Sequence, residues 1–288
     1  MRAILPLVAT SGARPLLVVD GDSFTHRAYH ALPKSMRRED GGPANALIGF
    51  TDMLLRLWRA ERPRAVLVGW DTLEVPTYRH EALEAYQSGR EFEEELLEQL
   101  HLLPSLVESA GFVSGKAPGY EADDFLAAAA TREEAAGGVA LVATSDRDAF
   151  QLVTDNVIVL QPAKGGPARI GRAEVRERYG VDPHQVTDFI ALRGDPSDRI
   201  PGARGIGAKR GADLLAQYGS LDAMLDEGRF ASEAEALLLY RRIATMDRDA
   251  PLPELPDVLP DWNAAAAHAR RLGVPQVATR FQEALAWT

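Results

Sequence analysis

Nine carboxylates stand out for where they fall in the chain. Glu121-Ala122-Asp123-Asp124 crowds three acids into one turn directly after Pro118-Gly119-Tyr120. Acids at a helix start favour the macrodipole and cap free N–H groups, which accounts for one or two of them. The others follow apolar runs or sit among turn residues: Asp20, Asp71, Asp146 and Asp148, then Asp195 and Asp198 within Gly194-Asp-Pro-Ser-Asp198. Two unit charges 4 Å apart repel by about 4 kcal/mol at the effective dielectric of a protein surface, so carboxylates gathered at one place take up protons or bind cations. A shared cation is the economical answer. The chain has no cysteine, and of its six histidines only His26 and His30 are paired at helical spacing, with no third nearby. Thiolate zinc, iron–sulfur clusters, disulfides and a cysteine nucleophile are excluded, and oxygen ligands alone select hard ions, Mg²⁺ or Mn²⁺. Asp182, Asp188 and most glutamates read as solvated faces.

Three continuous apolar runs would carry these acids. Leu16 to Val19 ends in Asp20, Ala65 to Trp70 ends in Asp71, and Val139 to Thr144 reaches Asp146 one residue later. Such runs predict strands buried on both faces, and Val157 to Leu160 predicts a fourth. Helical periodicity fills the intervals 44–61, 92–110 and 122–135. Strands alternating with helices give an α/β fold, a parallel sheet flanked by helices, with its ligand site beyond the carboxyl ends of the strands. After about residue 170 the pattern turns helical: 172–179, 183–192, 208–218, 220–226, 232–246 and the last thirty-odd residues, punctuated by Gly and Pro. Pro251-Leu-Pro-Glu-Leu-Pro256 predicts an extended interruption running on to Pro260.

At 288 residues, 46 % hydrophobic and 26 % charged, the chain has the composition of a folded protein rather than of a disordered or fibrous one. No apolar run approaches the ~20 residues needed to cross a bilayer. Residues 1–14 read as a frayed tail, since the apolar stretch from Ala3 is too short for a secretory signal. The formal net charge of −10 opposes non-specific coating of nucleic acid. If a metal neutralised the nine acids, the remainder would be −1, which leaves room for local basic patches.

Five motifs in order then carry a resemblance. Val19-Asp20-Gly21, Arg79-His80-Glu81, Gly119-Tyr-Glu-Ala-Asp-Asp124, Ser145-Asp-Arg-Asp148 with Gln151-Leu-Val153, and Gly194-Asp-Pro-Ser-Asp198 with Ile200-Pro-Gly-Ala-Arg-Gly-Ile-Gly207 resemble the bacterial 5′-3′ exonuclease and flap endonuclease family. Members of that family occur alone or as the amino-terminal domain of DNA polymerase I, and the chain resembles the stand-alone form. The resemblance implies a PIN-like catalytic domain over 15–180, with a helical arch at about 86–102. It further implies a helical domain over 181–288 whose helix-three-turn-helix element, at about 200–215, grips duplex DNA. It makes Asp20, Asp71, Glu121, Asp123, Asp124, Asp146, Asp148, Asp195 and Asp198 the ligands of two or more Mg²⁺ or Mn²⁺ ions. Arg79 and Arg90 would steady the scissile phosphate, and Arg27 and Tyr86 would line the path of a 5′ end. Gly205, Ile206, Gly207, Lys209 and Arg210 would hold DNA backbone, with a K⁺ at the turn. The expected protein is a cytoplasmic monomer, without a membrane partner, that removes flaps or RNA primers. Its substrates would be DNA with 5′ flaps, nicks or free 5′ ends, with RNA–DNA hybrids as a further class.

The chain departs from the family pattern in three places. Tyr86-Gln87-Ser88-Gly89-Arg90 has Gln87 where the family carries lysine, so a point charge on the reacting phosphate is replaced by a neutral amide. Glu91, Glu93, Glu94, Glu95 and Glu98 make the start of the arch acidic, which either faces outward or weakens threading. Arg199 replaces an asparagine. A branched-DNA binding protein with weak or lost cleavage is therefore the alternative, and a PIN-type ribonuclease a third reading.

Overall fold

In the computed structural model, residues 14–73, 75–88 and 91–287 are described. The predicted tail therefore lies, all but Arg14, outside the described residues, as does Arg90. The first half of the chain runs β1 (Leu16–Asp20), α1 (Gly21–Ala31), α2 (Asn45–Glu61), β2 (Ala65–Gly69), α3 (Tyr78–Ala82), α4 (Glu94–Ser109), β3 (Val113–Gly115), α5 (Ala122–Ala135), β4 (Ala140–Ala143), β5 (Val157–Gln161) and β6 (Ala168–Ile170). The six strands form one sheet in the order β3-β2-β1-β4-β5-β6, parallel except for β6. Leu16 is in register with Ala65 on one side and Ala140 on the other, so the carboxyl ends of β1, β2 and β4 align.

Every residue of β1, β2 and β4 is buried, as an unbroken apolar run between two helical layers requires. Alternate side chains enter different cores. Leu16 and Val18 join Phe125 and Leu126 of α5, while Leu17 and Val19 join Phe24, Phe50 and Leu103 from α1, α2 and α4. β3 and β6 have three residues each, too short to show a period in the sequence. α1 was also missed, because Gly21-Asp22 reads as a turn. The helix begins there because Asp20 caps it, accepting from Ser23 N at 2.9 Å.

The second half runs α6 (Arg172–Tyr179), a tight turn at Pro183–Gln185, α7 (Val186–Arg193), α8 (Ala208–Tyr218), α9 (Leu221–Asp226), α10 (Ala234–Ala244), α11 (Trp262–Arg271) and α12 (Pro275–Ala284). Helices α7 to α10 share the core of Phe125 and Phe150 through Phe189, Ile190, Leu215 and Leu237. Asp188, expected to be solvated, is buried and accepts from Leu221 N at 2.9 Å at the start of α9.

The packing of two expected segments is specific. Within the helical half over 181–288, Trp262, Ala266, Val277 and Phe281 of α11 and α12 belong to the core on the other side of the sheet. The Trp262 ring lies 5.1 Å from Trp58 and 5.8 Å from Phe112. The proline-rich stretch brings the chain back, pinned by Arg64 Nη1 donating to Leu255 O at 3.1 Å and Val258 N donating to Arg64 O at 3.1 Å. Within the span 86–102 expected as the arch, the second half is helical and packed. Residues 94–102 open α4, where Leu96 and Gln99 are buried and Gln99 Oε1 accepts from Ala46 N at 2.7 Å. The acidic start is neutralised locally, with Glu93 on Lys34, Glu95 on Arg37 and Glu98 on Arg38. No helix among the described residues is long and apolar enough to cross a membrane.

Candidate active site

Seven of the nine expected acids, Asp20, Asp71, Glu121, Asp123, Asp146, Asp148 and Asp195, line one cavity of about 700 Å³ beyond the carboxyl ends of the strands. Asp22 joins them. The first acids arrive because β1, β2 and β4 stop at the same level. Asp20 Oδ2 accepts from Thr144 Oγ1 at 2.6 Å, tying β1 to β4. Asp22 Oδ2 accepts from Asp71 N at 2.8 Å, and Asp71 Oδ1 accepts from Ala122 N at 2.8 Å, tying the start of α1 to the end of β2 and the end of β2 to α5.

Asp195 comes from the annex by a different device. The loop after α7 folds back on itself through reciprocal 2.8 Å backbone bonds between Asp195 and Ile200. Gly194 and Gly202 make this possible: both have φ of 76°, and a Cβ on Gly202 would meet Gly194 N at 2.4 Å. Asp195 then accepts from Ser197 N at 2.8 Å and pairs with Arg193 at 3.1 Å. Arg199, with φ of 57°, occupies a left-handed position in which asparagine is more at home than arginine.

The charge state of the cavity follows from burial. Asp20 is pushed up to about 7, by burial first and then by Asp71 and Asp146, against the bonds from Thr144 and Ser23. Burial raises Asp22, Asp123 and Asp148 well above the carboxylate range, with Asp71 adding to the first and Asp146 to the other two. Glu121 is raised by burial, with Arg79 opposing. Buried acids that repel one another are an incomplete electrostatic set.

Among the described residues, no three His, Cys, Asp or Glu side chains already form a closed metal shell. The donors nevertheless fit a divalent ion. They are oxygen-only, they open onto one space, and Asp123 Oδ1 is buried without a hydrogen-bond partner. Asp20, Asp22, Asp71, Asp123, Asp146 and Asp148 are the residues that would hold it.

Several expected site residues are elsewhere. Asp124 is fully buried beneath the cavity wall, where its oxygens take Arg79 Nη1 at 2.9 Å and Nη2 at 2.6 Å, and Asp247 N at 2.8 Å. Asp123 and Asp124 diverge because adjacent helical residues point about 100° apart. Arg79, expected at a phosphate, is 3 % exposed; besides Asp124 it reaches Glu121 at 3.3 Å and Ile243 O at 3.0 Å. It is a strut between α3, α5 and α10. Tyr86, expected on the DNA path, is also buried, donating to Glu121 Oε2 at 3.1 Å. Asp198 stands outside the cavity lining and accepts from Gln87 Nε2 at 3.0 Å, while the same amide donates to Tyr86 Oη at 2.8 Å.

Arg27 is exposed on α1, and Gly205, Gly207, Lys209 and Arg210 are exposed around the start of α8. Gly207 is the N-cap residue of α8 and provides no side-chain cap. Ile206 departs from the expected contact set: its side chain is buried in the core, so only its backbone is available. Lys209 bonds Asp213 at 2.9 Å. The sequence reading missed Asp22 and His26, which line the cavity from the first turns of α1. Their signal was Asp20-Gly-Asp22 at a strand end, with His26 four residues on. Arg147, Tyr179 and Arg193 also line it and carried no such signal.

Two family models match the chain: the 5′-3′ exonuclease N-terminal resolvase-like domain over residues 15–180, and the 5′-3′ exonuclease C-terminal SAM fold over residues 181–264. The chain is 38 % identical over 261 residues to DNA polymerase I of Mycobacterium tuberculosis, covering 86 % of this chain and 29 % of that protein. It is 42 % identical over 226 residues to thermostable DNA polymerase I of Thermus thermophilus, covering 78 % and 26 %. It thus spans less than a third of the length of either relative. Its fold is similar to that of the bacteriophage T5 D15 flap endonuclease in a complex with DNA and metal ions, with a TM-score of 0.68, 20 % identity, and coverage of 94 % of this chain and 98 % of that one.

Proposed function

Because this chain belongs to the 5′-3′ exonuclease family, we propose that it is a structure-specific 5′-nuclease that hydrolyses DNA phosphodiesters at the carboxylate cavity. The observation that supports this most is the convergence of Asp20, Asp22, Asp71, Asp123, Asp146 and Asp148, from the ends of β1, β2 and β4 and the first turns of α1 and α5, on one space, with Asp123 Oδ1 unsatisfied. Two or more Mg²⁺ or Mn²⁺ ions held there would activate a water and steady the leaving oxygen. The protein's part is to hold the carboxylates rigidly. Thr144 and the Ser23 amide fix Asp20, the Asp71 amide fixes Asp22, and the Ala122 amide fixes Asp71. Arg79 acts from beneath, through Asp124 and Glu121, to set the angle of α5.

In this reading residues 15–180 carry the chemistry. The segment from 181 through α10 holds the duplex by shape, with Gly205 to Arg210 against backbone phosphates and a K⁺ at that turn. Asp195 and Asp198 act in the outer reach of the metal site. Substrates are DNA with 5′ flaps, nicks or free 5′ ends, and RNA–DNA hybrids such as primers, handled by a cytoplasmic monomer. Gln87 supports a second reading, a branched-DNA binder with slow cleavage. Its amide is engaged with Asp198 and Tyr86, and no lysine stands at that position.

A labelled double-flap DNA incubated with Mn²⁺ beside Asp146→Ala tests the proposal. Cleavage by the parent and its loss in the variant is the expected result. Tight flap binding without cleavage by the parent would establish the second reading. Equal cleavage by both proteins would remove Asp146 from the site.

A further inference from the structure

Arg147, Tyr179 and Arg193 line the carboxylate cavity and also a second cavity of about 540 Å³ that runs to the first turns of α8. They form the throat between the two. Tyr179 is only 9 % exposed, and its hydroxyl is buried without a hydrogen-bond partner. Burial, above all, raises the phenol, so it keeps its proton and has it to donate to an acceptor. Arg193 lies with its guanidinium 5.4 Å from the Tyr179 ring and 5.2 Å from Phe189, stacked rather than free to swing. One of its nitrogens pairs with Asp195 at 3.1 Å, while Nε is buried with no partner. The second cavity also has Arg178 and Lys209 on its wall, and its one acid, Asp213, is bonded to Lys209.

Two unsatisfied donors beside an exposed arginine, in a corridor lined by further cations, suit a ligand that is anionic and only accepts hydrogen bonds. A phosphodiester is such a ligand, and the corridor leads from the carboxylates to the helix start proposed to hold duplex. Resting on the 5′-nuclease reading, we propose that Arg147, Tyr179 and Arg193 form a phosphate seat. It holds the phosphodiester next to the cleaved one, on the strand that runs from the carboxylate cavity toward α8. The seat fixes how far the strand advances and therefore which bond is cut.

The test couples protein and substrate changes. Flap DNAs carrying one uncharged methylphosphonate at successive positions around the cut are assayed by single-turnover cleavage with the parent, Tyr179→Phe and Arg147→Gln. The parent is expected to lose about tenfold or more at one position on the duplex side, beyond the scissile phosphate itself. Each variant is expected to be about tenfold slower on all-phosphate DNA, to lose little more at that same position, and to cut with shifted register. Tyr179→Phe removes an unpartnered hydroxyl, so its melting temperature should match the parent's. Losses from variant and substrate that simply multiply would overturn the seat, as would variants that cleave like the parent. A parent that neither binds nor cuts any flap DNA would overturn the underlying reading and the seat with it.

Discussion

Replacing Asp20 by asparagine should make the metal-free protein more stable while removing its activity. In the folded state the Asp20 carboxyl is pushed up to about 7, mainly by burial, whereas an unfolded chain titrates near the usual ~3.9. The folded state therefore holds the proton more tightly. Its advantage is complete below about pH 4 and is lost as pH rises through about 7. At pH 8 the charged group has forfeited about three pK units, or roughly 4 kcal/mol. Asparagine is neutral at every pH and still accepts from the Ser23 amide. The 2.6 Å bond from Thr144 is remade less well, at a cost of about 1 kcal/mol. A net gain of about 3 kcal/mol at pH 8 corresponds to roughly 6 to 12 °C in a chain of this size. At pH 5 only about a third of that has been forfeited, so the gain should shrink almost to nothing. Scanning calorimetry in chelator at both pH values measures this, and added Mg²⁺ or Mn²⁺ should raise the parent's melting temperature more than the variant's. A variant that melts lower than the parent at pH 8, or a difference that does not narrow toward pH 5, would refute the premise that burial and repulsion leave these acids under-compensated.

Gln87→Lys should raise single-turnover flap cleavage by up to about 10² by restoring a point charge beside Asp198; an unchanged rate would show that another cation fills the role. Arg79→Ala should cost about 3 to 5 kcal/mol in a urea melt, because it strips the fully buried Asp124 of its bidentate partner. An unchanged melt with slower cleavage would instead return Arg79 to the phosphate. Trp262→Ala should cost about 3 to 5 kcal/mol and should loosen the Trp58 and Phe112 environment in near-ultraviolet circular dichroism. A destabilisation below ~1 kcal/mol would mean that α11 is not part of the sheet's core.

Much of this was legible in the residues themselves, for local reasons. An unbroken apolar run such as Leu16 to Val19 suits only a strand covered on both faces, and a polar residue must follow where that cover ends. The edge at which Asp20, Asp71 and Asp146 meet was therefore written in the runs that precede them. The bounds of α5 at Ala122 and Ala135 and of α6 at Arg172 and Tyr179 were likewise visible, because each combines capping chemistry with its own period. What the chain alone left open was where each side chain would point and against what. Asp123 and Asp124 are neighbours with the same chemistry, and only the seating of α5 turns one into the cavity and the other onto Arg79. Arginine is equally suited to holding a phosphate or bracing a buried carboxylate, and burial, a property of the assembled structure, decides for Arg79. The apolar stripe on α11 announces a buried face without naming its partner. That Trp262 crosses back to Trp58 was settled by the path of the chain through its proline-rich return. Periodicity and capping act within a few residues, whereas orientation and partnership depend on contacts between residues two hundred positions apart.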